Sequence, residues 1–179
     1  MIREADLAYI AGIVDADGCI RVEKLKNHGR SRDGTSYAAF IAVQQVEPQA
    51  VELAKAIFGG YLITVKPTPK MPNARTMLRW TAKSQVAARA LVLLCPYLRI
   101  KRAQADNAIA LASLVVELNR ARYVGVVPGR NGPRHRTPAE LDRLAIHFET
   151  SRRLNSGHLT PDYEPLQLKR TAQQGMVLS

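Results

Sequence analysis

Two hydrophobic periods take turns along this chain, and their alternation constrains the fold more than any other feature. Residues 19–27 alternate, with Ile20 and Val22 on one side and Arg21, Glu23 and Lys24 on the other, which predicts a strand. A polar turn over 28–36 leads to a second strand, 37–46, with Ala39, Ile41 and Val43 facing inward. Pro48 then opens a helix carrying Val51, Leu53, Ala54, Ile57 and Phe58, and Gly59-Gly60 stops it. Residues 61–66 and 76–81 form another strand pair around the proline-rich turn 67–72. Ahead of all this, Asp6 caps a helix that starts at Leu7, and Gly18 ends it in the left-handed conformation. Ser84 caps a helix running to Leu94, and a longer one spans 101–119. The order α-β-β-α-β-β-α, followed by further helices, predicts an α+β fold whose antiparallel sheet is covered by helices on one face.

Arginines then crowd a stretch that Pro128, Gly129, Gly132 and Pro133 keep irregular: Arg120, Arg122, Arg130, Arg134 and Arg136. Thr137-Pro138-Ala139-Glu140 is a capping box with proline at the first helical position, and Leu141, Leu144, Ala145 and Phe148 share one face of the helix it opens. Periodicity fades after Asn155. Residues 1–155 therefore read as one domain and 156–179 as a loosely ordered tail. The chain is 179 residues long and carries a net charge of +11 with a pI near 10.1, a balance that points to a polyanionic partner, nucleic acid first. Cys19 and Cys95 are the only cysteines, which makes neither a disulfide framework nor a zinc pattern. No apolar run approaches the roughly 18 residues needed to span a bilayer, and Met-Ile-Arg-Glu opens no secretory segment. An intracellular protein with no membrane partner is expected, in a prokaryotic cytoplasm or an organelle matrix.

The first helix carries an electrostatic oddity. Its C-terminal carbonyls hold partial negative charge, so Asp15 and Asp17 are disfavoured there by about 0.3–1 kcal/mol each. Residues two apart on a helix point in different directions, so the two acids do different work. Asp17, beside Gly18, is free to face a ligand such as a metal ion; Asp15 sits earlier and makes a supporting hydrogen bond. Ala8, Gly12 and Ala16 recur every four residues and leave one face nearly bare, suited either to a second helix or to this chain's own sheet.

Ile10-Ala11-Gly12-Ile13-Val14-Asp15-Ala16-Asp17-Gly18 resembles the motif Leu-Ala-Gly-Leu-Ile-Asp-Ala-Asp-Gly, for which the LAGLIDADG homing endonucleases are named. Ile10 and Ile13 stand for leucines and Val14 for isoleucine. The resemblance implies the αββαββα LAGLIDADG fold with a DNA-binding sheet. It also implies that two such helices pack across a two-fold axis, so a chain with one motif works as a homodimer. Asp17, assisted by the Ala16 carbonyl, would then hold Mg²⁺ (or Mn²⁺) over the minor groove. Hard oxygen donors suit Mg²⁺, which keeps several waters and bridges phosphates.

Other segments are similar to the same family. Pro96-Tyr97-Leu98-Arg99-Ile100-Lys101-Arg102-Ala103-Gln104-Ala105 resembles its Pro-Phe-Leu-x-x-Lys-x-x-Gln-Ala run, which makes Lys101 the lysine that stabilises charge at the reacting phosphate. Gln45 resembles the strand-ending glutamine that positions solvent, with Glu47 as its competitor in register. Residues 137–154 resemble a late helix that clamps the DNA backbone. Candidate base readers are Arg21, Glu23, Lys24, Lys26, Gln44, Thr64, Lys66, Arg75 and Arg79; a one-residue slip would exchange the strand faces. The arginines of 120–136 would hold phosphates. The function so implied is metal-dependent double-strand cleavage of DNA at a long, nearly palindromic site by a mobile element of an intron or intein. The alternative is a non-cleaving nucleic-acid binder, either an RNA maturase or a DNA-binding regulator.

Overall fold

The computed structural model describes residues 2–26, 34–70, 72–124 and 135–157. Helix α1 (Glu4–Asp17) leads into strands β1 (Cys19–Lys26) and β2 (Thr35–Gln45), then α2 (Gln49–Phe58). Strands β3 (Tyr61–Val65) and β4 (Met77–Lys83) follow, then α3 (Ser84–Leu94), a short 3₁₀ turn (Cys95–Tyr97), α4 (Arg102–Arg122) and α5 (Pro138–Asn155). The strands make one antiparallel sheet in the order β1-β2-β4-β3. The expected α+β order is therefore the observed one. No described helix is long and apolar enough to cross a membrane.

The core lies between one face of the sheet and the helices. Ile20, Ile41, Val43, Trp80 and Ala82 point into it, against Ile10, Val14, Val51, Leu91 and Leu94. Trp80 is fully buried, and its indole N–H donates to the Gly59 carbonyl at 2.8 Å, so its one polar atom is satisfied. A second cluster, Val22, Tyr37, Leu111, Leu114, Leu118 and Leu144, joins α4 and α5 to the β1 side of the sheet.

Three local details at helix ends depart from expectation. Helix α1 starts at Glu4, and Asp6 lies inside it, paired with Arg3 at 2.7 Å. Gly18 is extended (φ −78°); glycine is needed there because a Cβ would sit 2.6 Å from the Val14 carbonyl oxygen. Gly59 and Gly60, after α2, do take positive φ, a backbone region that glycine enters at little cost. Ser84 is not a cap: it is the first residue of α3, itself at φ 53°, and makes no capping bond. The capping box at Thr137 forms as expected, with Glu140 N–H donating to the Thr137 hydroxyl at 3.3 Å and Thr137 N–H to the Glu140 carboxylate at 2.8 Å.

Candidate nuclease site and nucleic-acid interface

The carboxyl end of α1 is where the sequence-selected residues meet. Gln45, at the end of β2, donates its amide to the Asp17 carboxylate at 2.8 Å. Glu47 lies beyond the strand and is exposed. Asp15 faces elsewhere: one oxygen accepts the Arg99 N–H at 2.7 Å, the other the Lys101 N–H at 2.9 Å. Burial alone would raise the Asp15 carboxyl. The backbone N–H groups of Arg99, Lys101 and Ile100, with the Lys101 charge, outweigh it and hold the group below the ordinary carboxylate range.

Lys101 resolves the electrostatic oddity of α1. Its ammonium donates to the carbonyls of Val14 at 2.9 Å, Asp15 at 2.8 Å and Ala16 at 3.4 Å. A cation thus sits at the negative end of the helix dipole, supplied by a distant residue because the last turn has no basic side chain of its own. Burial lowers the Lys101 pKa, and Asp15, Cys19 and Asp17 pull it back upward.

Hard oxygen donors exposed here are the Asp17 carboxylate and the carbonyl of Ala16, which the Lys101 ammonium contacts only at long range. Among the described residues, no three or more His, Cys, Asp or Glu side chains converge on a point that could hold a metal ion. One carboxylate and one carbonyl are hard oxygen donors of the kind Mg²⁺ takes, and too few to enclose a structural ion by themselves. Beside it, Ala8, Gly12 and Ala16 all lie exposed on α1, together with Ala5 and Tyr9, so the small-residue face does not pack on the chain's own sheet. A Cβ on Gly12 would meet nothing within 4 Å.

Strand register settles the sheet faces. Arg21, Glu23, Gln44 and Arg79 lie on the face opposite the core, along with Phe40, Thr81 and Lys83. Lys24, Lys26 and Thr64 fall on the helix-side face at strand ends, because Lys24 shares the parity of Ile20 and Val22. Lys66 and Arg75 lie in the β3–β4 connection. On the open face, Glu23 bridges Arg21 at 2.7 Å and Lys83 at 2.9 Å, and both cations lie over the Phe40 ring, at 4.0 and 5.3 Å from its centre. Burial would raise Glu23, but these two partners hold it below the usual range. The Arg79 guanidinium grips Gln44 Oε1 with two nitrogens, at 2.6 and 3.1 Å.

Arg120 and Arg122 belong to the last turn of α4, not to a loop, and Arg136 donates to Asn119 at 3.0 Å. Arg130, Arg134 and the tail 158–179 lie outside the described residues. Lys83 is a residue that sequence reasoning missed. Its signal was available, since Trp80 and Ala82 as core residues place Arg79, Thr81 and Lys83 on the opposite side.

No protein-family description and no curated protein matches the chain. Solved structures do. The homing endonuclease I-CvuI, in complex with the I-CreI target in the presence of Mg, superposes with a TM-score of 0.61 at 20% identity, over 86% of this chain and 84% of that one. The archaeal intron-encoded homing endonuclease I-Vdi141I, complexed with DNA, gives 0.56 at 15% identity, over 90% and 88%. The meganuclease I-SmaMI, bound to uncleaveable DNA, gives 0.52 at 14% identity; 81% of this chain covers 43% of that one. The chain has the LAGLIDADG homing endonuclease fold.

Proposed function

We propose that this chain belongs to the LAGLIDADG homing endonucleases and is a site-specific, metal-dependent DNA endonuclease that acts as a homodimer. The observation that carries the reading is the end of α1, where Asp17 and its partner Gln45 lie next to an exposed face of Ala8, Gly12 and Ala16. That face lets a second α1 approach closely, which would bring a second Asp17 to the same stretch of duplex. The near-complete overlap with I-CvuI, against 43% of I-SmaMI, supports a single-copy chain that needs its partner.

In this reading Asp17 and the Ala16 carbonyl would hold Mg²⁺, which would supply Lewis-acid polarisation of the scissile phosphate and of an attacking water. Gln45 holds the Asp17 carboxylate in place and orients solvent. Lys101 fixes the α1 carbonyls and adds positive charge near the reacting phosphate. Asp15 locks the 99–101 backbone against α1. Arg21, Glu23, Gln44, Lys83 and Arg79 face the major groove, while cations at 120–136 contact phosphates. An intron or intein is the proposed host, and an intracellular location follows from it.

The test is incubation with a library of candidate duplex sites, with and without Mg²⁺, scored for double-strand breaks. Breaks only with metal, abolished by Asp17→Asn while duplex binding persists, are expected. Metal-independent binding without any break would favour a regulator or maturase instead.

A further inference from the structure

Strand β1 is a sheet edge, yet two of its outward backbone groups are bonded. The Val22 N–H donates to the Ser151 hydroxyl at 2.9 Å, and the Ile20 carbonyl accepts from the Asn155 side-chain amide at 3.1 Å. Asn155 also donates to the Ser151 main-chain carbonyl at 2.8 Å and to the Ser151 hydroxyl at 3.4 Å; the longer bond joins the two side chains. Ser151 is buried, at 4% exposure.

Spacing explains why a helix can do this. Residues four apart on a helix advance about 6 Å, and outward-facing positions two apart on a strand advance about 6.6 Å. One turn of α5 therefore mimics the donor and acceptor of a neighbouring strand. The bonded stretch of β1 begins two residues after Gly18 and carries Arg21 and Glu23 on its open face.

We propose that Ser151 and Asn155 are positioning residues for DNA recognition: by pairing the free edge of β1 they fix the strand that presents Arg21 and Glu23 to the bases. This rests on the nuclease reading above. A side chain held from both sides, by β2 through the ladder and by α5 through the edge, reads a base with less backbone freedom than one on a free edge strand. Loss of the α5 contacts relaxes discrimination at the base pairs that Arg21 and Glu23 face, and leaves the positions facing Arg79 on β4 unchanged.

The experiment uses the full chain and has two readouts. Amide hydrogen exchange in the free protein reports the edge bond itself: Ser151→Ala is expected to speed exchange at Val22 by about fivefold, the effect of one hydrogen bond, with β4 unaffected. Binding to a randomised duplex library reports recognition. Ser151→Ala and Asn155→Ala are expected to blur the same base positions as Arg21→Ala, whereas Glu149→Ala, an exposed α5 change that touches the Arg152 pair and not β1, blurs none. Faster exchange at Val22 with an unchanged binding profile would overturn the proposal. Failure of the intact chain to select any duplex would instead remove the nuclease reading on which it rests, while the Val22 exchange result would still stand as a fact about the edge.

Discussion

The carboxyl end of α1 and the open face of the sheet are both charged and polar, but they are held together differently. The frame of the α1 end is held by main-chain groups: Lys101 grips three carbonyls and Asp15 takes two backbone N–H groups, and on that frame the Asp17 carboxylate takes the Gln45 side-chain amide. On the sheet the partners are side chains, with Glu23 shared between Arg21 and Lys83, and Gln44 held by Arg79. Main-chain partners cannot be exchanged without moving an element, so the first region keeps its geometry whatever binds. Half-exposed side-chain pairs are worth little, about 0–1 kcal/mol each, and can trade partners for a base edge at small cost. A fixed site beside a re-pairable surface suits chemistry that is constant and recognition that is particular.

The first way to break this contrast is at Gly12. If the α1 end is half of a composite site, Gly12→Leu should weaken self-association about a hundredfold, the effect of roughly 3 kcal/mol of overpacking. The free chain should keep its melting temperature, since a Cβ there meets nothing and glycine is a poor helix former. Sedimentation and thermal melting measure the two separately. Lys101→Met comes next: uncapping the α1 carbonyls should cost about 1–2 kcal/mol in denaturant unfolding, besides lowering cleavage.

Glu23→Gln sharpens the other half of the contrast. It frees Arg21 and Lys83, so non-specific DNA affinity should rise and the salt dependence steepen by about one counterion. Stability should barely change. Smallest is the acid limb of Asp15. Its folded pKa lies below the ordinary 3.8, so its stabilisation is complete above that value and is lost as pH falls through the folded one. Asp15→Asn should therefore flatten the pH dependence of unfolding below about pH 4.

Most of the fold was legible because periodicity and turn residues report local geometry directly. Gly59-Gly60 and the Thr137 capping box behaved as their chemistry dictates. What escaped were features set by distant partners. No local pattern shows that Lys101 reaches the end of α1. The face of Lys24 was misjudged because three polar residues in four hide the parity that the core residues Ile20 and Val22 impose. Gln45 was favoured over Glu47 by the register that keeps Ile41 and Val43 inward, and it is Gln45, at the strand's end, that reaches Asp17. Ser151 and Asn155 look like ordinary polar helix residues until the edge of β1 lies beside them.

The central claim is that each break requires an Asp17 from both of two paired chains. Mixing intact chain with Asp17→Asn chain at fixed total concentration, under subunit exchange, tests it most directly. Double-strand cleavage is predicted to fall as the square of the intact fraction. A fall in simple proportion to that fraction would mean that each chain cuts alone, and would contradict the account.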